Sequence, residues 1–299
     1  MSAHLGQIAA LCAAFCWAVT ALASEAAGRR VGSLPLNLVR LPIAFAFLAL
    51  AGWISRGVPL PVDASPHAWL WLTVSGLIGF SFGDLCLYRA YLLIGPRLST
   101  LLMSLVPPLT ALIGWAVLGE TLSGRDLLGM ALTMSGIAWA VLDRKPAAPS
   151  GSLPVHASPA GLALGLGGAL GQSCGLVLSK YGMGGYSPFP SNQIRVVAGF
   201  VGFSLIVTAL RMWPRVGMAL RDGKALGFAA LAAFFGPFIA VSLALVAIRA
   251  TAAGVAASIM ATTPIVIIPL VVLLRRERVG PGGVGGAVLA VAGVALLFL

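Results

Sequence analysis

Asn37-Leu38-Val39-Arg40 returns as Asn192-Gln193-Ile194-Arg195, 155 residues further along the chain. In both places a carboxamide and a guanidinium sit three residues apart in an otherwise apolar run. More landmarks follow in the same order. Pro107 and Glu120 match Pro264 and Glu277, and Gly129 and Gly136 match Gly286 and Gly293, all at an offset of 157. Two offsets that differ by two residues imply one small length change between two related halves. A single match of this kind is weak, but six in order define an internal repeat, which must be recognised before any other organisation is assigned.

Around these landmarks the chain is strongly apolar. Of its 299 residues 59% are hydrophobic and 9% charged, with a mean hydropathy of +1.01. Soluble domains carry about a quarter of their residues charged, so a water-soluble surface is excluded. Ten runs are long enough to cross a bilayer, which needs ~20 apolar residues. They cover 5–24, 34–55, 68–92, 97–118, 124–142, 160–180, 189–210, 225–248, 252–274 and 281–299. The runs are continuous and do not alternate, which excludes a β-barrel. The expectation is an all-α polytopic membrane protein of ten transmembrane helices. Residues 1–143 form one five-helix repeat, 144–158 a Pro/Ala/Ser/Gly linker and 159–299 the second repeat. Five crossings per half force the second half to enter the membrane upside down. Inverted halves are a known architecture for alternating access, with the site near the midplane between them.

The net charge is +11. A nucleic-acid binder could show this balance, but here the basic residues lie in short loops between apolar runs, where they orient helices against anionic lipid. Thirteen lie in loops on the side away from the N-terminus and four on the other side, with Arg40 and Arg195 inside spans. By the positive-inside rule both termini face outward. Cys12, Cys16, Cys86 and Cys174 fall within apolar runs, form no CxxC pair and read as small packing residues. The N-terminus shows no basic n-region of a cleaved leader. There is no HExxH and no P-loop, so neither a metalloprotease nor a P-loop ATPase is expected in this chain. No cofactor and no metal site are expected.

The stretch from Pro107-Pro108 through Glu120 to Gly129, Ser135, Gly136 and Ile137 resembles the signature of the EamA domain, in the drug/metabolite transporter superfamily. Thr263-Pro264 through Arg276-Glu277-Arg278 to Gly286 and Gly293 is similar but looser. The resemblance covers essentially the whole chain as two EamA-like halves. It implies ten helices, a central cavity and export of amino acids or other metabolites by a chain that suffices as a monomer. It also implies both termini in the cytoplasm, against the charge count, so orientation stays open. The small multidrug relatives carry a membrane-embedded Glu in their first helix. Here Leu5–Ser24 contains no acid and Glu25 lies at its end, so their proton-exchange mechanism does not carry over.

Asp84 is the one acid well inside an apolar run, and Tyr88 and Tyr91 follow on its helical face. An ionised group there costs ~2.5–3.5 kcal/mol unless it faces a wet cavity or a partner. It reads as an acceptor for a substrate ammonium beside two aromatic walls; the plainer account is an ion pair with Arg89 or another buried cation. Trp17, Thr20 and Ser24 share one face of the first span, and the repeat maps Trp17 to Gln172 and Ser24 to Ser179. Met103 and Ser104 precede Pro107 and Pro108, as Ser258, Thr262 and Thr263 precede Pro264. The candidate substrate contacts are therefore Trp17, Thr20, Ser24, Asp84, Tyr88, Tyr91, Met103, Gln172, Ser258 and Thr262. Pro107, Pro108 and Pro264 are candidate hinges, because proline frees a carbonyl and permits bending. Arg40 and Arg195 are assigned a gating or carboxylate-binding role, with snorkelling to the interface as the plainer account. Glu120 and Glu277 read as helix-end structure. Glycines four apart, such as Gly79 and Gly83 or Gly171 and Gly175, favour close helix packing.

The function these readings converge on is export of amino acids or similar small metabolites across a bacterial inner (cytoplasmic) membrane. Spans 1, 3, 4, 6, 8 and 9 would wall the cavity. A multidrug exporter is the nearest alternative. A membrane enzyme or lipid-handling protein lacks a clustered acid, histidine or metal constellation. A non-transporting structural protein would have a solid core.

Overall fold

The computed structural model describes residues 4–143, 158–267, 269 and 280–299. Among the described residues every regular element is helical. The first half runs α1 (Leu5–Val31), α2 (Ser33–Arg56), α3 (Pro66–Gly76), a π-helical stretch Leu77–Gly83, α4 (Asp84–Met103), α5 (Val106–Leu118) and α6 (Gly124–Asp143). The second runs α7 (Pro159–Met183), α8 (Pro188–Ala209), a short α9 (Trp213–Ala219), α10 (Gly223–Ala233), a π-helical stretch Phe234–Ala240, α11 (Val241–Ala250), α12 (Ala253–Met260) and α13 (Pro281–Phe298).

Starts and stops follow local chemistry. Ser65 and Ser158 cap α3 and α7 by accepting from Ala68 N at 3.2 Å and Gly161 N at 3.0 Å, each followed by a proline that needs no helical N–H. Asp222 caps α10 through Lys224 N and Ala225 N. Gly57 ends α2 in the left-handed region, at φ 71°. The α8–α10 connection holds α9 where the α2–α3 connection has no helix, which places the length change between the halves there.

Among the described residues eight helices are long and apolar enough to cross a membrane, and two shorter apolar ones, Val106–Leu118 and Ala253–Ile267, accompany them. Ile54, Leu205 and Val288 are among the large apolar side chains exposed on the outside, as contact with lipid requires. The sequence runs 97–118 and 252–274 are not single straight helices. The first breaks at Ser104-Leu105 and the second at Ala261-Thr262, the same place in each repeat. The chain makes a tight turn there, with Leu105 N donating to Leu102 O and Thr262 N to Ile259 O, both at about 3 Å. The prolines then begin the next helical stretch, where a missing N–H costs nothing. The end of the second run, and Glu277 with it, lies outside the described residues.

α4 also reverses. A methyl-sized carbon at Gly168 would sit 3.2 Å from Met103 Cε and 3.3 Å from Leu87 N. A straight helix would hold residues 87 and 103 about 24 Å apart. Along α7, Gly161 meets Leu93 and Gly168 meets Leu87, whereas Gly165 meets Leu102 and Ser173 bonds to Val106 O. The chain therefore runs down α7 as far as Ile94 and is climbing back by Leu102.

The two halves exchange contacts. α7 packs on α3 and α4 as α1 packs on α10 and α11, and α6 packs on its own counterpart α13. Gly129 meets Gly293 and Leu297, and Gly286 meets Gly136 and Ala140, so α6 and α13 run antiparallel. The two π-helical stretches occupy equivalent positions, Leu77–Gly83 and Phe234–Ala240 being 157 residues apart.

Candidate functional site

A cavity of about 810 Å³ lies between the halves. α1 supplies Trp17, Thr20 and Ser24; the first π-helical stretch and α4 supply Gly79, Phe80, Asp84 and Leu87. Met103 and Ser104 come from the broken fourth run, Gln172 from α7, and Thr263 and Pro264 from the second break. These include Trp17, Thr20, Ser24, Asp84, Met103, Gln172 and Pro264 of the sequence-based candidates. Three helices outside the expected set also contribute: α2 (Ser33, Leu36, Arg40), α6 (Ile137) and α8 (Arg195).

Ser258 and Thr262 do not reach the cavity. Both are buried, and their hydroxyls donate back to their own helix, to Gly254 O at 2.9 Å and Ile259 O at 2.7 Å. Thr263 lines the cavity in place of Thr262. Pro107 is buried away from it, at the start of α5. Pro108 also stands in the first turn of α5, outside the cavity wall. The side chains of Tyr88 and Tyr91 lie outside the described residues. Ser179 is buried and bonds to Gly175 O.

The polar centre is built on the first π-helical stretch. Such stretches leave carbonyls outside the regular ladder and occur often at functional sites. Gln172 Nε2 takes up one of them, Gly79 O, at 3.3 Å, and donates to Asp84 Oδ1 at 2.9 Å. Arg40 Nη2 approaches Asp84 Oδ2 at 3.4 Å, and both side chains are buried. The partner of Asp84 is thus Arg40, not Arg89, which is exposed.

Snorkelling is overturned for both arginines: Arg40 and Arg195 are each only 6% exposed and turn inward. Arg195 Nε donates to Ser75 Oγ at 3.0 Å, and its guanidinium lies 5.1 Å from the centre of the Phe80 ring. The Ser75 hydroxyl donates in turn to Gly175 O at 2.6 Å. Ser75 and Phe80 drew no attention in the sequence. Gly79 and Gly236 share the 157 offset and were the available signal for the matched π-helical stretches.

The lining of the cavity reaches an exposed residue at one end. It extends from Asp84 and Arg195 past Glu25 and Gly28 to the exposed Ser33, beside the α1–α2 turn. At the other end the halves are tied together. Glu120 Oε2 accepts from Ala253 N at 2.8 Å and so caps α12 of the other half. Lys180 Nζ lies 2.5 Å from Glu120 Oε1 and donates to Thr251 O at 2.6 Å. Tyr186 donates to Asp63 at 2.7 Å and Gln193 to Pro59 O at 2.9 Å. The hydrogen bond from Tyr186 holds the Asp63 carboxyl below the usual carboxylate range, while burial pushes the Tyr186 phenol up. Glu120 therefore joins the two halves instead of fixing its own hairpin. A Lys180→Met, Glu120→Gln double-mutant cycle read by thermal unfolding is expected to give a coupling of about 1–3 kcal/mol. Additive effects would show that the pair does not hold this end closed.

A family model, that of the EamA-like transporter family, matches the chain twice, over residues 4–142 and 159–299. A probable transport protein of Saccharomyces cerevisiae is 29% identical over 115 residues, which are 38% of this chain and 32% of the yeast protein. The chain thus spans about a third of that relative's length. A solved crystal structure, described only as that of a protein, superposes with a TM-score of 0.74 at 19% identity. It covers 97% of this chain and 95% of the other, and the likeness is one of fold.

Proposed function

The chain belongs to the EamA-like transporter family, and from that premise we propose that it exports amino acids or related small metabolites by alternating access through the central cavity. The observation that carries the reading is a cavity between two half-chains, whose lining reaches the exposed Ser33 at one end, while the Lys180–Glu120 pair joins the halves at the other. Antiparallel packing of the equivalent helices α6 and α13 supports inverted halves, because a two-fold axis relating them then lies across the helices. The reversal within α4 supports ten crossings. Alternation exchanges the two ends: the tie around Glu120 opens while the equivalent end, at Glu25, closes. Lys180 and Glu25 are counterparts at the 155 offset.

The breaks at Ser104-Leu105 and Ala261-Thr262, with the π-helical stretches, are the places where rocking is absorbed. Asp84 meets a substrate ammonium, and Trp17, Leu87 and Met260 take its apolar body. The mouth lies at the end that holds the basic loops, which the positive-inside rule makes cytoplasmic. A single chain supplies both halves and works as a monomer in a bacterial inner membrane.

Purified protein in proteoliposomes is expected to take up members of a labelled amino-acid panel saturably, above empty liposomes. A response to an imposed pH gradient would identify proton coupling. No uptake of any member by folded protein would sink the amino-acid reading and move the assignment to lipophilic drugs or other metabolites.

A further inference from the structure

We propose that the Arg195 guanidinium anchors a carboxylate of the transported molecule, so that the substrates are amphipathic monocarboxylates. This rests on the central cavity being the transport site. Arg195 is buried and lines the cavity. Among the described residues no carboxylate lies within ion-pair distance of it. Its Nε is used by Ser75 Oγ, while its two terminal nitrogens have no hydrogen-bond partner among the described residues. Gly79 leaves room beside them: a Cβ there would stand 3.4 Å from Nη2.

The repeat explains the free charge. Arg40 and Arg195 are counterparts, but the position matching Asp84 in the second half is Val241. One arginine is therefore neutralised from within and the other is not, which leaves the deep part of the cavity with one positive charge. A buried guanidinium without a counter-charge is costly. A carboxylate meets it with two parallel charge-assisted hydrogen bonds. Phe80 backs the guanidinium, and the walls beyond are apolar, with Leu87, Leu176, Val241 and Met260. That suits a single carboxylate on an apolar body; a phosphate dianion would bring a second charge, and among the described residues the other cation of the cavity wall, Arg40, is already paired with Asp84.

The test uses four probes of one shape: leucine, 4-methyl-2-oxopentanoate, leucinamide and 3-methylbutylamine. Their affinities are measured on the full-length protein in nanodiscs. Both carboxylates are expected to bind at least about tenfold more tightly than the amide and the amine. Arg195→Gln is expected to weaken the carboxylates by about 10–100-fold and, by removing a like charge, to leave the amine bound no more weakly than by wild type, with Arg195→Lys between. The ratio of acid to amide within each variant does not depend on the fraction folded, so a purely structural role would leave it unmoved. An equal ratio in wild type and Arg195→Gln, tighter binding of the amine by wild type, or binding of none of the four overturns the anchor. Uptake of the amine or of lipophilic cations into proteoliposomes would then leave the transporter reading standing. Absence of uptake of any solute would remove that reading as well.

Discussion

A Gly136→Leu variant is expected to give no folded protein, and Gly136→Ala to unfold many degrees below wild type. α6 and α13 meet backbone to backbone here. A Cβ on Gly136 would stand 2.5 Å from Gly286 O and 2.9 Å from Ala290 Cα, and closer still to Ala290 N. These are main-chain atoms of a helix and cannot rotate aside, so the two helices must part. Overpacking of this kind costs about 1–3 kcal/mol, and more when backbone is the obstacle. Helices in lipid gain little from apolar burial against each other, so lost close packing is not recovered elsewhere. Gly227→Ala is the control. It lies within α10 with nothing within 4 Å of an added Cβ, and alanine there is expected to be neutral or to gain about 0.5–1 kcal/mol. Thermal unfolding in one detergent compares them. Equal midpoints for Gly136→Ala and Gly227→Ala would show that the α6–α13 contact does not hold the halves together.

Asp84→Asn is expected to reduce uptake to the level of empty liposomes and to destabilise the fold. The substitution keeps the shape and removes the charge. Arg40 is then left as a buried cation, with its Nε already lacking a hydrogen-bond partner. Removing one member of a buried pair costs about 3–5 kcal/mol because the other charge stays behind, and water in the cavity brings this towards the lower value. The Arg40→Gln, Asp84→Asn double variant is therefore expected to be more stable than Asp84→Asn alone. The two readings separate under this comparison. If the double variant regains stability but not uptake, Asp84 acts on the substrate as well as on Arg40. If stability losses simply add, the 3.4 Å approach is not an energetic pair.

Much of this architecture was legible in the residues. The repeat could be read because its landmarks are rare residue types in apolar surroundings. Asp84, Gln172 and Trp17 were legible for the same reason: a polar group or a large ring inside a span is conspicuous. The inward turn of Arg40 and Arg195 was not. A long cation within two turns of a helix start can reach either the interface or the interior, and only the neighbouring Asp84, Ser75 and Phe80 decide it. Ser258 and Thr262 misled because a hydroxyl in a helix can satisfy itself on its own backbone. The breaks before Pro107 and Pro264 were anticipated as bends, but their place, ahead of the prolines, depends on a tight turn that leaves no sequence mark. The closed end could not be foreseen, since Glu120 caps a helix 133 residues away.

The matched π-helical stretches carry a historical consequence. Each takes an extra residue into a turn, which is rare and costly, and here the two stand at one position of both copies. Two independent insertions at one register are a poor explanation; a single insertion copied when the gene doubled is a simple one. A half-length ancestor that already bore this irregular turn accounts for both copies. The match of Asp84 to Val241 at the 157 offset records how the two copies have diverged. Once both copies shared a chain, each was free to drift, and the modern cavity is lopsided because its two walls stopped having to be identical.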